Sequence, residues 1–361
     1  MNPSMSQNKH QAFARAYRPQ IFSEVVGQEH VLQALSYSLD QQNLHHAYLL
    51  TGTRGVGKTT LGRIFAKALN CEKGISSTPC GECSACVSIT AGRFVDLIEV
   101  DGASNTKVED TRELLEDVQF VPTQGRFKIY LIDEVHMLST QSFNALLKTL
   151  EEPPVQVIIV LLAPSPKSLP PTVISRCQVI ELHAVPREEI EQGLIERGCA
   201  DPGKASQLAR LAGGRPGRAF AALEDETTLD RYQQAVLRVL VTSAGDIEER
   251  FRYANEMARE FSRNREMVSR ELELWTSIWR DILLLKHDVA DSVANIAWTE
   301  QLAGAASAAG DDDARIAIEA IAKAADGLRR NGMPRVVLEV LMLELPTIPA
   351  EIVESIELGE A

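Results

Sequence analysis

The chain has 361 residues, and its 37 lysines and arginines against 50 aspartates and glutamates give a formal net charge of −13. This length predicts two or three domains, and 45% hydrophobic with 24% charged residues excludes a largely disordered chain. No stretch reaches the roughly 18 consecutive apolar residues of a membrane span, and the N-terminus lacks the apolar core of a secretion signal. We therefore expect a cytoplasmic protein with no membrane partner. The acidic balance argues against wholesale non-specific nucleic-acid binding and leaves only a local basic surface for DNA.

Apolar runs alternate with helical patterns over the first half of the chain. Predicted strands lie at 48–50, 94–100, 128–135 and 155–162. Such near-continuous apolar runs are typical of parallel strands covered on both faces, so the alternation predicts a parallel α/β sheet. After about residue 186 the strand pattern ends, and apolar residues recur at helical spacing.

A glycine-rich segment, GTRGVGKT, lies between the first strand and the next helix and fits G-x-x-x-x-G-K-[ST]. Glycines let backbone N–H groups curl around phosphates, the lysine reaches the β- and γ-phosphates, and the last hydroxyl ligates Mg²⁺. A glycine-rich turn that fits by chance is the alternative, which the flanking strand and helix disfavour. The predicted ATP and Mg²⁺ contacts are Gly52, Thr53, Arg54, Gly55, Val56, Gly57, Lys58 and Thr59.

Two acids, Asp133 and Glu134, end the third predicted strand. On its own, such a pair is usually a solvated strand end. Next to an intact phosphate loop, the pair indicates a P-loop ATPase in which Asp133 supports Mg²⁺ and Glu134 polarises the attacking water.

Four of the six cysteines fall within sixteen residues with the spacing C-x8-C-x2-C-x2-C. Without an export signal, a metal site is a better interpretation than disulfides. Four thiolates can close a tetrahedral shell around Zn²⁺ and leave no open position for catalysis; buried free thiols are the alternative. The predicted ligands are Cys71, Cys80, Cys83 and Cys86, whereas Cys177 and Cys199 are interpreted as small apolar residues.

Together these motifs resemble the gamma/tau subunit of bacterial DNA polymerase III, an AAA+ clamp loader, from about Ala14 through Pro154. The matching segments are ARAYRPQIFSEVVGQEHV, HHAYLLTGTRGVGKTT, the cysteine module, GRFVDLIEVDGASNTKVEDTRELL and LIDEVHMLSTQSFNALLKTLEEPP. The resemblance implies ATP at 52–59 and Zn²⁺ at the four cysteines. It also implies that Arg18 and residues 25–28 lie near the adenine. Ser175-Arg176-Cys177 matches the family's SRC motif, whose arginine reaches the ATP of a neighbouring subunit.

The second half departs from the gamma/tau pattern. Residues 163–166 read Ala-Pro-Ser-Pro where the family has Thr-Thr-Asp-Pro, so its sensor threonine is missing, with Ser165 as a substitute. The family's second sensor arginine aligns with Gly217, and Arg218 is displaced by one residue, about 100° around a helix. GRPGRA, Trp275, Trp279 and NGMPRVVLEVLMLELP resemble the delta-prime subunit instead. A natural hybrid, a diverged lineage and a constructed chimera all fit this pattern.

We predict an α/β P-loop AAA+ module with a zinc-binding insertion, followed by an all-α lid and an all-α collar. The boundaries are 1–186 for the ATPase domain with its zinc module at 71–86, 187–228 for the lid, and 229–345 for an oligomerisation collar. An acidic tail that frays is predicted at 346–361.

By resemblance, the predicted function is ATP-driven opening and loading of the sliding clamp on primed DNA during replication, as part of a DNA-directed DNA polymerase complex. The implied partners are other clamp-loader subunits in a hetero-oligomeric ring, the clamp, primer-template DNA and, indirectly, the polymerase core. One alternative is a non-hydrolysing, delta-prime-like subunit that offers Arg176 to a neighbour. Another AAA+ machine, such as a branch-migration helicase, leaves the cysteine module and the SRC motif unexplained.

Overall fold

The computed structural model describes residues 18–102, 121–224 and 228–357. The chain divides into two compact units, Met1–Glu224 and Asp225–Ala361. Residues 187–224, predicted to form most of a separate lid, therefore belong to the same compact unit as the sheet. None of the described helices combines the length and the apolar character that are needed to cross a bilayer.

The first unit is built on a five-stranded parallel sheet in the order β2-β3-β4-β1-β5. The strands are β1 Ala47–Thr51, β2 Leu97–Asp101, β3 Lys128–Asp133, β4 Val157–Ala163 and β5 Gln178–Glu181. All residues of β1 and β4, two of the three interior strands of the sheet, are buried. This explains the unbroken apolar runs in their sequences.

The predicted strand at 94–100 was partly wrong. It begins only at Leu97, because Phe94 lies in a turn that accepts a hydrogen bond from the amide of Leu97 (3.2 Å). It is also half-exposed rather than buried, since β2 is an edge strand that pairs only with β3. The short strand β5 was not predicted, because two of its four residues are polar and only Ile180 is buried.

Helices cover both faces of the sheet and form two apolar clusters. The helices of the first unit are α1 Glu29–Asp40, α2 Lys58–Asn70, α3 Ser84–Thr90, α4 Thr140–Glu151, α5 Pro171–Ile174, α6 Arg187–Glu196, α7 Pro202–Ala212 and α8 Pro216–Glu224. The last three begin at or directly after a proline and follow β5 without a further strand among the described residues.

The second unit is helical throughout its described residues. Its helices are α9 Thr228–Ala244, α10 Ile247–Arg263, α11 Arg265–Lys286, α12 Thr299–Ala308, α13 Asp313–Arg329, α14 Pro334–Glu344 and α15 Ala350–Glu357. Its core centres on α11, where Trp275 and Trp279 are almost fully buried among the side chains of the neighbouring helices.

The predicted fraying of residues 346–361 was wrong for the described part. Ile348 and Val353 are buried in the helical core, and the amide of Ile348 donates to the carbonyl of Ser243 (3.2 Å). The acidic composition suggested a solvated tail, but Ile352 and Val353 of α15 both pack against the helical core. Residues 358–361 lie outside the described part.

Arg250 is a buried arginine that joins the ends of two helices. It is 5% exposed, and its guanidinium donates to the carbonyls of Ser243 (2.6 Å), at the end of α9, and of Leu345 (2.7 Å), which follows α14. It also donates to Met342 and Pro346 carbonyls and to the Thr347 hydroxyl. A cation at two helix C-termini is favourable because it meets unpaired carbonyls and the negative ends of the helix dipoles.

We predict that Arg250→Met lowers the free energy of unfolding of the second unit by about 2–4 kcal/mol, because buried carbonyls lose their donor. The chain's three tryptophans, Trp275, Trp279 and Trp298, all lie in this unit, so denaturation followed by tryptophan fluorescence reports on it. Arg335→Met is the control: Arg335 is exposed and forms a surface ion pair with Glu339, so a loss below about 0.5 kcal/mol is expected. Equal losses in the two variants would contradict the role of Arg250.

Candidate functional site

The glycine-rich loop turns from β1 into α2 through three glycines in a conformation that other residues rarely adopt. Gly52, Gly55 and Gly57 have φ values of 143°, 86° and 116°. A Cβ on Gly52 would lie 2.6 Å from the carbonyl oxygen of Leu182, which follows β5. Both the backbone conformation and this close approach therefore require glycine at position 52.

Lys58 begins α2 and is buried, with its ammonium held over the loop. Its Nζ donates to the carbonyls of Gly52 (2.7 Å) and Thr53 (3.2 Å). Burial lowers the pKa of Lys58, and the charges of Glu134 and Asp133 oppose this shift. The sheet edge therefore holds a partly desolvated cation facing two acids.

Thr59 and Asp133, 74 positions apart in sequence, are joined by a direct hydrogen bond. The Thr59 hydroxyl donates to Oδ2 of Asp133 (2.9 Å), and the other carboxylate oxygen accepts from the amide of Glu134 (2.9 Å). A hydroxyl and a carboxylate in contact are the oxygen ligands that Mg²⁺ uses in phosphate sites. The structure thus brings together the two residues that the sequence predicted as Mg²⁺ ligands.

Glu134 follows β3 directly and adopts a left-handed backbone conformation, with φ of 47° and ψ of 43°. Its carboxylate is half-exposed and lies 3.4 Å from Nδ1 of His136. Non-glycine residues in this conformation are uncommon and concentrate at functional sites. Gly102, at the end of the neighbouring strand β2, allows this segment to approach closely, because a Cβ there would lie 2.7 Å from the Glu134 carbonyl oxygen.

Arg176 follows α5, and its side chain is half-exposed. Its guanidinium donates to Glu151 Oε1 (2.8 Å), at the end of α4, and to the carbonyl of Thr172 (2.8 Å). Sequence reasoning missed Glu151, because a glutamate in the run TLEEPP carries no signal of a pairing 25 residues away.

Arg18 lines a small cavity whose other residues include Arg63 and Lys67, in the second and third turns of α2. Its predicted contact with the adenine stays a prediction. Gln28, the last residue of the segment 25–28, bonds to the segment that follows β5. Its side-chain amide nitrogen donates to the carbonyl of His183 (2.5 Å), and its side-chain oxygen accepts from the backbone N–H of His183 (3.1 Å).

The two predicted departures from the family pattern both lie at the sheet edge. Ser165 caps a short 3₁₀ helix, where its hydroxyl oxygen accepts from the amide of Lys167 (3.3 Å). Gly217, in α8, donates its backbone N–H to the carbonyl of Gly55 in the phosphate loop (3.0 Å). The sequence indicated that the family's second sensor arginine is absent at position 217, but it gave no sign of this backbone contact.

The four clustered cysteines form a compact group that reaches from the end of α2 into α3. Their sulfurs all lie within 4.8 Å of one another, and tetrahedral Zn–S bonds of about 2.3 Å place sulfurs about 3.8 Å apart. Backbone amides point at the sulfurs, because Cys80, Cys83 and Cys86 donate to the Sγ atoms of Cys71, Cys80 and Cys83 at 3.4 Å each.

The local environment separates the acidities of these thiols. Backbone N–H groups of Cys83 and Glu82 lower the pKa of Cys80 to about 6, whereas burial raises the pKa of Cys86. Soft thiolates with this spacing and these amide donors fit Zn²⁺. Arg126 ties the cysteine group to the sheet, since its guanidinium donates to the carbonyls of Cys71 and Glu72.

Comparison with known proteins places these motifs in a family context. A family model described as "DNA polymerase III, delta subunit" matches residues 27–186. Similar solved structures include the RuvB Holliday junction branch migration motor of Thermotoga maritima, with 21% identity, a TM-score of 0.43, and coverage of 63% of this chain and 66% of that one. A likeness at this level supports no conclusion about the activity of this chain.

Several curated relatives are much more similar. The chain is 50% identical over 244 residues to DNA polymerase III subunit tau of Salmonella typhimurium, covering 66% of this chain and 38% of the relative. It is 57% identical over 210 residues to subunit tau of Escherichia coli, covering 57% and 33%. It is 52% identical over 181 residues to subunit gamma of Buchnera aphidicola, covering 50% of each.

The chain thus spans about half or less of the length of these relatives. The delta-prime likeness of its second half stays a prediction. The resemblance that the motifs predicted is nevertheless confirmed: over the part that these relatives cover, the chain is similar to the gamma/tau subunits of bacterial DNA polymerase III.

Proposed function

We propose that this chain is an AAA+ ATPase subunit of a clamp loader that works with the replicative DNA polymerase III. The single observation that carries this proposal is the Thr59–Asp133 hydrogen bond of 2.9 Å. It joins the hydroxyl of the phosphate loop to the acid of β3 across the end of β4, which is the pairing that a Mg²⁺–ATP site needs. The relatedness to tau and gamma subunits supports the assignment to a clamp loader.

In this proposal the chain's own groups divide the work at the sheet edge. The loop amides and Lys58 bind the phosphates, while Thr59 and Asp133 hold Mg²⁺, which would neutralise charge on the β- and γ-phosphates. Glu134 accepts a proton from, or orients, the attacking water. ATP binding would open the sliding clamp, and hydrolysis would release it closed on primed DNA.

We predict that Glu134→Gln lowers DNA-stimulated ATP turnover by roughly 100-fold or more, because removing a positioned base typically costs that much, while nucleotide binding remains. The measurement uses the full chain assembled with clamp-loader partners, clamp and primed DNA. Because Gln has the same shape as Glu, this substitution removes the charge without changing the packing or the backbone conformation. Unchanged turnover would contradict hydrolysis at this site.

A second candidate function is a nucleotide-binding subunit that does not hydrolyse. The observation that favours it is Gly217, which has no side chain at the position where the family resemblance expects an arginine, and which contacts the loop with its backbone. In that case the chain would serve as a scaffold that offers Arg176 to its neighbour. Equal turnover with and without the Glu134→Gln change would then come from partner subunits.

For Arg176 we propose the role of an arginine finger in trans. Its guanidinium is half-exposed and held in place by Glu151 and the Thr172 carbonyl, so a neighbouring subunit can reach it. A positioned guanidinium stabilises charge as the γ-phosphate departs.

We predict that Arg176→Ala lowers turnover of the assembled ring at least tenfold while nucleotide binding to the isolated chain is unchanged, since the arginine would serve another subunit's site. Glu151→Gln, which removes the ion pair and retains the arginine, should give a smaller loss. Weakened nucleotide binding by the isolated Arg176→Ala chain would argue for a role in its own site.

For the cysteine group we propose a structural Zn²⁺ held by Cys71, Cys80, Cys83 and Cys86. The sulfur spacing and the amide donors support this assignment. The cysteines also connect the end of α2 to α3, whose Ala85 and Ile89 pack with Phe94. The metal would therefore fix this small cluster to the sheet.

We predict one equivalent of zinc per chain by atomic emission after dialysis. Cys83→Ser should lose it, because three thiolates bind Zn²⁺ far more weakly, and should lower the thermal unfolding temperature of the first unit. Cys199→Ser, which alters a cysteine outside the group, should keep the zinc. Zinc bound equally by both variants would contradict the assignment.

A further inference from the structure

The N-terminus of α8 rests directly on the phosphate loop. Gly217, the second residue of that helix, donates its N–H to the carbonyl of Gly55 (3.0 Å). The first N–H groups of a helix have no partner within it, so the loop supplies an acceptor that the helix lacks. The bond uses a loop carbonyl and therefore does not consume the N–H groups with which such loops bind phosphate.

This contact needs glycine on both sides. A Cβ on Gly217 would lie 2.8 Å from the Gly55 carbonyl oxygen and 3.4 Å from its Cα. These are backbone atoms, so the two segments would have to move apart. On the loop side, Gly55 has φ of 86°, and the side-chain carbons of Arg215 and Arg218 lie near the position that its Cβ would occupy (3.6 Å each).

The segment is also fixed at its other end. The carbonyl of Gly214 accepts from the amide of Val185 (2.8 Å), and a Cβ on Gly214 would lie 2.7 Å from the Cβ of Ala184. Residues 214–217 are thus held between the segment after β5 and the phosphate loop. Two anchored ends, each with a close backbone contact, leave little freedom for this connection between α7 and α8.

We infer that residues 214–217 and Gly55 form a latch that slows release of nucleotide from the loop, with Gly217 as its positioning residue. This inference rests on the proposed nucleotide site. In this proposal nucleotide leaves the loop when α8 opens away from it, and this opening breaks the Gly217–Gly55 bond. Nucleotide therefore leaves less often while the bond is intact. Because the acceptor belongs to the loop and not to the γ-phosphate, the latch retains ADP and ATP alike. A γ-phosphate sensor would retain only ATP.

The test compares Gly217→Ala with Gly203→Ala in the full chain. Each glycine follows the proline that begins its helix, α8 or α7, so the gain in helix propensity is matched. A Cβ on Gly203 meets only Asp201 Oδ1, at 3.3 Å. Release of fluorescent N-methylanthraniloyl-ADP is followed after mixing with excess unlabelled ADP. Release of the ATP analogue is followed in the same way in a Glu134→Gln background.

Gly217→Ala should speed release of both nucleotides by a similar factor, roughly three- to tenfold, as expected for one lost hydrogen bond. Gly203→Ala should stay within about twofold of the unmodified chain. Equal rates for the two variants, or faster release of the ATP analogue alone, would overturn the latch.

Hydrogen exchange in the nucleotide-free protein separates the latch from the nucleotide site. The amide at position 217 should exchange slowly in the unmodified chain and rapidly in Gly217→Ala. Slow exchange there in a chain that binds neither nucleotide would show that the Gly217–Gly55 contact forms, but it would overturn the proposed ATP site and with it the effect of the contact on release. Rapid exchange in the unmodified chain would overturn the latch even if nucleotide binds.

Discussion

Parallel pairing of β1, β3 and β4 is the constraint on which the candidate site depends. Because these strands run in one direction, the loop after β1 and the acids after β3 emerge at the same edge of the sheet. The parallel register then brings the Thr59 hydroxyl to 2.9 Å from the Asp133 carboxylate, although the two residues are 74 positions apart in sequence. A one-residue shift of β3 would turn Asp133 to the other face and remove the pair.

The same edge is closed from the side of β5 by backbone contacts. Leu182 approaches Gly52, Gly214 bonds to Val185, and Gly217 bonds to Gly55. Glycine is required at Gly52 and Gly217 because a Cβ there would collide with a backbone carbonyl oxygen. Unlike a side chain, a backbone atom cannot change rotamer to relieve the collision. The helices after β5 therefore belong to the same compact unit as the sheet, although their sequence pattern alone suggested a separate lid.

The loop, the acidic pair and the cysteine group could be predicted from sequence because each is a local pattern with a specific chemical requirement. The edge strand β5 and the packing of Ile348 and Val353 in the helical core were missed for the opposite reason. These segments are polar on one side, and the elements that pack against them in the folded protein determine which side is buried. Glu151 gave no sequence signal because its partner Arg176 is 25 positions away, and Arg250 gave none because most of its partners lie more than 90 positions away.

The sequence by itself predicted the chemistry that we propose for this protein: a phosphate-binding loop, acids for Mg²⁺ and water, and four thiols for a metal. Spacing over a few residues was sufficient, because each group acts through its own functional atoms. Only the tertiary structure decided which distant groups meet. The contact of Gly217 with Gly55 joins main-chain atoms 162 positions apart, and a hydrogen bond between backbone groups leaves no mark on residue type beyond the glycines that allow it.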